Sequence, residues 1–231
     1  MKSPIFEAVT EEHVQIKWEE QSHDCTASSW SASRTLAEEQ GTHYGVVLEG
    51  ETVISCNEGT FSLGSGFYFS VYGPLKLSGG CGMIASINGY HGCFSIGGPI
   101  EPLGRLKYID GCSDSLLIAP PVFGDPCLNF LYIPPHLDQT PHTHPSCRIG
   151  LVLAGSGTCT TSSGINPLRR GVIFILPTDS LHSFHTNEDN LRIAVFHPDS
   201  DFGPSSESHP MLNRTIINGV SATALRQLAK I

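Results

Sequence analysis

The chain has 231 residues with 24 Gly, 16 Pro and a formal net charge of −9. That length can bury a substantial core, as one large domain or two small ones. The acidic balance, with no long basic run, argues against nucleic-acid binding through a basic face. No stretch approaches the roughly 20 apolar residues of a membrane helix.

The opening segment, MKSPIFEAVTEEHVQIKWEE, has no apolar centre and turns acidic early. It does not read as a secretory signal, so a cytoplasmic location is expected. The eight cysteines, Cys25, Cys56, Cys81, Cys93, Cys112, Cys127, Cys147 and Cys159, include no CxxC pair. A structural zinc knuckle is therefore not supported, and the cysteines read as mostly reduced thiols.

From Tyr44 the chain reads YGVVLEGETVISCNEGTFSLGSGFYF, and from Ile149 it reads IGLVLAGSGTCTTSSGINPLRRGVIF. The two segments align without a gap at an offset of 105 residues. Gly45 matches Gly150, Leu48 matches Leu153, Gly50 matches Gly155, Gly66 matches Gly171 and Phe69 matches Phe174. Glycines for turns and apolar residues for an interior are what a repeated strand–turn–strand unit needs. The match resumes at MIASIN from Met83 and RIAVFH from Arg192, at an offset of 109. A period above 100 residues fits one domain per copy, with a junction in GGPIEPLGRLKYIDG and expected domains over 1–105 and 106–231. Short strands of Val, Ile, Phe, Tyr and Thr between Gly, Pro, Asn and Asp turns fill both copies. Only the tail, SATALRQLAKI with Ser221 as its cap, reads as a short helix.

In the second copy the strand NFLYIPP offers Tyr132 as a pocket hydroxyl, and PHTHPSCRIGLVLAGSG follows it. Residues two apart on a strand face the same way, so His142 and His144 can project together, with Arg148 at the same parity. Thirty-eight residues beyond His144, the run GVIFILPTDSLHSF brings His182 after a Pro-containing turn. Three neutral imidazoles make a competent site for a divalent first-row metal, and imidazole alone does not select among iron, zinc, copper and nickel. By the same alternation His185 faces away from His182. His197, at the end of LRIAVFH, shares the parity of Ile193 and Val195 and is a candidate ligand-orienting or acid–base group. The polar stretch from His197, with Asp199, Asp201 and His209, reads as a lid or strap.

These two histidine segments resemble the two motifs of the cupin superfamily. The first motif is G-x5-HxH-x3,4-E-x6-G, matched by His142, His144 and Gly155. The second is G-x5-PxG-x2-H-x3-N, matched by Gly171, Pro177 and His182. The resemblance implies an all-β chain of two tandem cupin barrels with metal inside one or both. Three departures stand out. Arg148 replaces the motif glutamate, Asp179 replaces the glycine after the proline, and the opening glycine of the first motif is missing. At the positions of His142, His144, Arg148 and His182 the first copy has Ala37, Glu39, His43 and Leu77, so its barrel is expected to lack the metal.

An arginine cannot ligate a metal, and three neutral ligands leave the metal its full charge. Both features favour a small anionic substrate, with Arg148 as its clamp. Three-histidine cupins without the glutamate resemble thiol, β-diketone and gentisate-type dioxygenases. The resemblance thus implies a non-haem iron(II) dioxygenase. A zinc- or manganese-dependent isomerase or hydrolase, and a non-enzymatic binding or sensor protein, are the alternatives, and nickel is a further possible metal. Cupins often form dimers, so a homodimer is a possible assembly.

Overall fold

The computed structural model describes residues 3–8, 15–19, 24–200, 216–217 and 220–221. Strand is nearly the only regular structure among the described residues, with one short 3-10 turn at Ile109–Gly111. No helix among them is long and apolar enough to cross a membrane. The helix expected after Ser221 lies outside the described residues, as do Asp201 and His209.

Strand β1 (Ile5–Ala8) is followed by β2 (Gln15–Glu19), β3 (Asp24–Leu36), β4 (Gly41–Glu49), β5 (Thr52–Cys56), β6 (Gly59–Leu63), β7 (Tyr68–Tyr72), β8 (Leu75–Asn88) and β9 (Ser95–Gly97). Strands β2 to β9 form one antiparallel sheet, in the order β2-β3-β8-β4-β7-β9, with the β5–β6 hairpin attached to β8. The second sheet uses β10 (Leu106–Lys107), β11 (Ser113–Ile118), β12 (Cys127–Ile133), β13 (Arg148–Thr161), β14 (Gly164–Arg169), β15 (Val172–Leu176), β16 (His182–His185) and β17 (Leu191–His197). Its order is β1-β15-β13-β17-β12-β11-β10, with β14 and β16 on the far half of β13. The first strand thus crosses the boundary expected at residue 105, because Ile5–Ala8 pairs with Val172–Ile175 of the second sheet. A separate two-strand ladder joins β18 (Ile216–Ile217) to β19 (Val220–Ser221).

The repeat seen in sequence is a repeat of strand pairing. Gly45 lies opposite Phe69 and Gly150 opposite Phe174, and both glycines are obligatory for the same reason. A Cβ on Gly45 would sit 2.0 Å from the Phe69 ring, and one on Gly150 2.1 Å from the Phe174 ring. Both copies carry a bulge at the same place, between Val47 and Glu49 and between Val152 and Ala154. Pairing also corrects the register beyond the gap. Gly45 faces Ile84 and Gly150 faces Val195, so the last strands correspond at an offset of 111 rather than 109. Ile54 faces Leu77 while Cys159 faces Phe184, which places Leu75, not Leu77, where the second copy has His182.

Three apolar clusters hold the molecule together. One lies among the N-terminal sheet's own residues, around Trp30, Val47, Phe69 and Ile84. A second lies among the C-terminal sheet's residues, around Val152, Phe174, Leu191 and Ile193. The third joins the two sheets, with Tyr44, Val46 and Met83 against Ile149, Leu151, Ala194 and Phe196. The Tyr44 and Phe196 rings meet at 4.8 Å in this shared layer. Alternate residues of β4 and β13 therefore serve different cores, and Gly41–Leu48 is buried without interruption. Strands buried on both faces read as continuous apolar runs, as these do. On β13 the residues Ile149 and Leu151 face the shared core, whereas Arg148 has the parity of Val152 and faces the interior of its own sheet. None of the eight cysteines is in a disulfide; Cys25 and Cys147 bring their sulfurs to 3.8 Å in the shared core.

Candidate metal centre

His142 and His182 come from segments that run antiparallel beside each other. The His142 N–H donates to the His182 carbonyl at 3.0 Å, and the His182 N–H returns the bond to His142 at 3.0 Å. His142 and His144 precede β13 rather than lying in a long regular strand, and their only ladder contact is this isolated bridge. The segment is held in place instead by side chains and loop amides. Thr186 Oγ accepts from the Leu137 N–H at 3.1 Å and donates to the Pro134 carbonyl at 2.6 Å. Gln139 exchanges bonds with the Phe184 backbone. The turn before His182 is closed by the Asp179 N–H donating to the His144 carbonyl at 2.9 Å. Asp179 has φ 56°, so it occupies the left-handed conformation for which the cupin motif uses glycine. Aspartate is among the few side chains that adopt it readily.

The ligand atoms of His142, His144 and His182 lie within 4.8 Å of one another, the only such cluster of three His, Cys, Asp or Glu among the described residues. His142 Nδ1 sits 3.0 Å from the Thr140 carbonyl, and His182 Nδ1 sits 2.7 Å from the Ser180 carbonyl. A carbonyl can only accept, so in both rings Nδ1 carries the proton and Nε2 keeps its lone pair. That is the arrangement by which an outer partner fixes the tautomer of a metal-binding histidine. Burial pushes the His144 imidazolium down to about 2, with the Arg148 charge as the next cause. Burial likewise brings His182 down to about 4, and the charges of His142 and Arg148 add to it. Neutral imidazoles with oriented Nε2 atoms fit a divalent metal.

Arg148 is buried and lines the same cavity as the three histidines. Its Nη1 donates to the Ser146 carbonyl at 3.1 Å, the Ser146 hydroxyl at 2.8 Å and the Cys147 carbonyl at 3.1 Å. His197 also lines the cavity. The residue as a whole is half-buried, but its Nδ1 is shut off from solvent, and burial together with Arg148 holds its pKa well below the ordinary value. The cavity measures about 40 Å³ and shares six lining residues with a neighbouring space of about 220 Å³ that Leu106, Tyr108 and Leu116 also line.

Tyr132 is a correction. It lines a different depression, with Leu103, Asp189 and Arg192, while its neighbour Leu131 lines the histidine cavity. His185 turns away from the centre, bonding Asp138 at 2.9 Å and Ser183 at 2.8 Å. In that chain the serine is buried and the carboxylate is exposed, so it clasps the 134–142 segment to β16. Asp199 accepts a bond from Ser146 Oγ through its carbonyl at 3.1 Å. Asp114 and Asn129 line the cavity and were not found in the sequence. Asn129 lies two residues before Leu131 on the same strand, which is the signal that could have found it.

In the first sheet, Ala37 and Glu39 are exposed ahead of β4. His43 is buried and bonds Ser86 at 2.7 Å, on the strands where the second sheet has Arg148 and His197.

Residues 134–206 match the model of the AraC-like ligand binding domain. No curated protein matches the chain in sequence. Among solved structures, the chain is similar to a Cupin 2 conserved barrel domain protein from Leptotrichia buccalis. The identity is 16% and the TM-score 0.57, over 85% of this chain and 96% of that one. It is also similar to a variant of the salicylate 1,2-dioxygenase from Pseudoaminobacter salicylatoxidans, at 11% identity and TM-score 0.58, over 75% and 70% of the two chains. Another variant of that dioxygenase, in complex with gentisate, is 10% identical with TM-score 0.57, over 75% and 68%. Taken with the two curled sheets and the histidine segments, these likenesses make the chain a cupin by fold.

Proposed function

We propose that the protein is a non-haem iron(II) dioxygenase acting on a small anionic organic substrate. In this reading the chain is two tandem barrels, the second catalytic and the first a supporting wall. The observation that carries it is the ligand set: three clustered imidazoles, two of them with Nε2 oriented by a backbone carbonyl on Nδ1, beside a buried arginine and with no carboxylate in the cluster itself. The likeness to a salicylate dioxygenase supports it at the level of the fold.

His142, His144 and His182 would hold the metal, His142 and His182 through Nε2. Ferrous iron held there would supply a meeting point for dioxygen and a chelating substrate and a path for electrons from the substrate to dioxygen. Arg148 supplies positive charge beside the ligands, drawing an anionic substrate into the cavity. The apolar walls, Leu131, Phe174, Leu176 and Phe184, exclude water from the reacting groups. Burial, with the Arg148 charge added to it, keeps His197 neutral, so it can take or give a hydrogen bond at the substrate.

The match to an AraC-like ligand binding domain favours a second reading, a cupin that binds a small molecule without turning it over. Oxygen uptake separates them. Protein reconstituted anaerobically with ferrous iron should consume dioxygen when given a substrate from a panel of small hydroxy, keto and thiol acids. Binding of such an acid with no oxygen uptake would favour the second reading. Tight zinc and oxygen-independent turnover would favour Lewis-acid chemistry in its place.

A further inference from the structure

The wall of the cavity opposite the histidines is polar, and its hydrogen bonding is incomplete. Strands β11, β12 and β17 lie side by side, with Asp114 opposite Leu131 and Asn129 opposite Leu116 and Val195. These pairings turn Asp114, Asn129 and His197 to the interior, where all three line the cavity with His144 and Arg148. The Asn129 amide donates to Asp114 Oδ2 at 3.0 Å. That bond fixes the amide's orientation, because only its nitrogen can donate to a carboxylate. Two acceptors are left over. Asp114 Oδ1 and Asn129 Oδ1 are both closed to solvent, and neither has a hydrogen-bond partner. His197 Nδ1 is in the same condition. Asn129 is only 4% exposed, so this is an interior feature and not a surface one.

A buried acceptor without a donor keeps the full cost of its lost hydration, and a carboxylate more so. Two of them side by side in a cavity wall are a place prepared for donors from outside the chain. We infer that Asp114 and Asn129 are specificity-determining residues that take a hydroxyl or amino group of the ligand. The cavity then has two poles. Arg148 and the histidine centre take an anionic group, and the Asp114–Asn129 pair takes a donor a short distance away. The ligand class is a small carboxylate that also bears a hydroxyl or amino group. The small inner volume limits what lies between the poles, and the apolar rim of Leu106 and Leu116 accommodates a hydrocarbon remainder. This inference rests on the metal-and-anion reading above for its first pole, while the second pole stands on Asp114 and Asn129 alone.

The test is calorimetric titration of zinc-loaded full-length protein with matched acids. The probes are propanoate with 2- and 3-hydroxypropanoate, and benzoate with 2- and 3-hydroxybenzoate. At least one hydroxylated member should bind about tenfold or more tighter than its parent acid, as expected for a hydrogen bond to a charged group. Asn129→Leu and Asp114→Asn should each reduce that preference, taken as the ratio of hydroxylated to parent acid within each variant, to about threefold or less, with metal content nearly unchanged. Should Asn129→Leu fail to fold, Asp114→Asn, which keeps the shape, carries the test with Asp114→Ala beside it. Parent and hydroxylated acids that bind equally to the wild type would overturn the inference. So would a preference that survives in the variants, since it would then come from chelation at the metal. If none of the acids binds, the anionic-substrate reading itself is overturned, and the two-pole ligand class goes with it.

Discussion

Burial beside an arginine keeps His144 and His182 neutral, and this has a cost that appears in acid. An unfolded histidine titrates near 6.5, whereas His182 in the fold titrates at about 4 and His144 lower still, with burial as the main cause. Above pH 6.5 neither state binds the proton and their contribution is fully present. As the pH falls below that, the unfolded chain takes up protons that the folded apoprotein refuses, so stability declines through the window from 6.5 toward 4. Between pH 7.5 and 5 the metal-free protein should lose on the order of 1–2 kcal/mol per histidine. Urea unfolding at the two pH values measures it, and a His144→Gln, His182→Gln variant should show a flatter dependence. Equal slopes for variant and wild type would contradict the account. At this scale the sequence was legible where chemistry is local. His142, His144 and His182 are recognisable from spacing, and the Asp179 departure is explained by its left-handed backbone. Tyr132 lines a different space from Leu131, and the sequence does not show this because β12 is buried on both faces. Phe130 and Leu131 are equally apolar neighbours, and no alternation distinguishes them.

Elements in this protein are specified by pairs rather than by single segments. Gly150 exists because the Phe174 ring occupies the space its side chain would need, and Gly45 stands in the same relation to Phe69. Gly150→Ala should therefore destabilise by about 1–3 kcal/mol through overpacking, with part of the loss recovered when Phe174→Leu is added. Denaturant titration of the two single variants and the double variant checks this; additive losses would mean that the ring is not the obstacle. The glycine and phenylalanine matches were visible in the repeat because they recur at a fixed offset. The later register was not visible, since the insertion in the second copy moves β17 without changing its apolar pattern. The Asp114–Asn129 pair was hidden for a related reason. It exists only once β11 is laid against β12, and no local pattern states that pairing.

At the scale of the whole molecule, the two sheets share a layer of core that includes Tyr44, Val46, Ile149 and Phe196. Strand β1 reinforces the join by pairing with β15 across the chain. The all-β class and the repeat could be read from glycine, proline and apolar spacing. The exchange of β1 could not, because nothing in IFEA names its partner. The clustered histidines and the residues that line their cavity belong to the second sheet and the segments that flank it. The most direct test of this account is the metal content of anaerobically purified protein, wild type beside His182→Ala. The account predicts about one divalent metal per chain in the wild type and about a tenth of that or less in the variant. The same metal in the same amount in both proteins would contradict it.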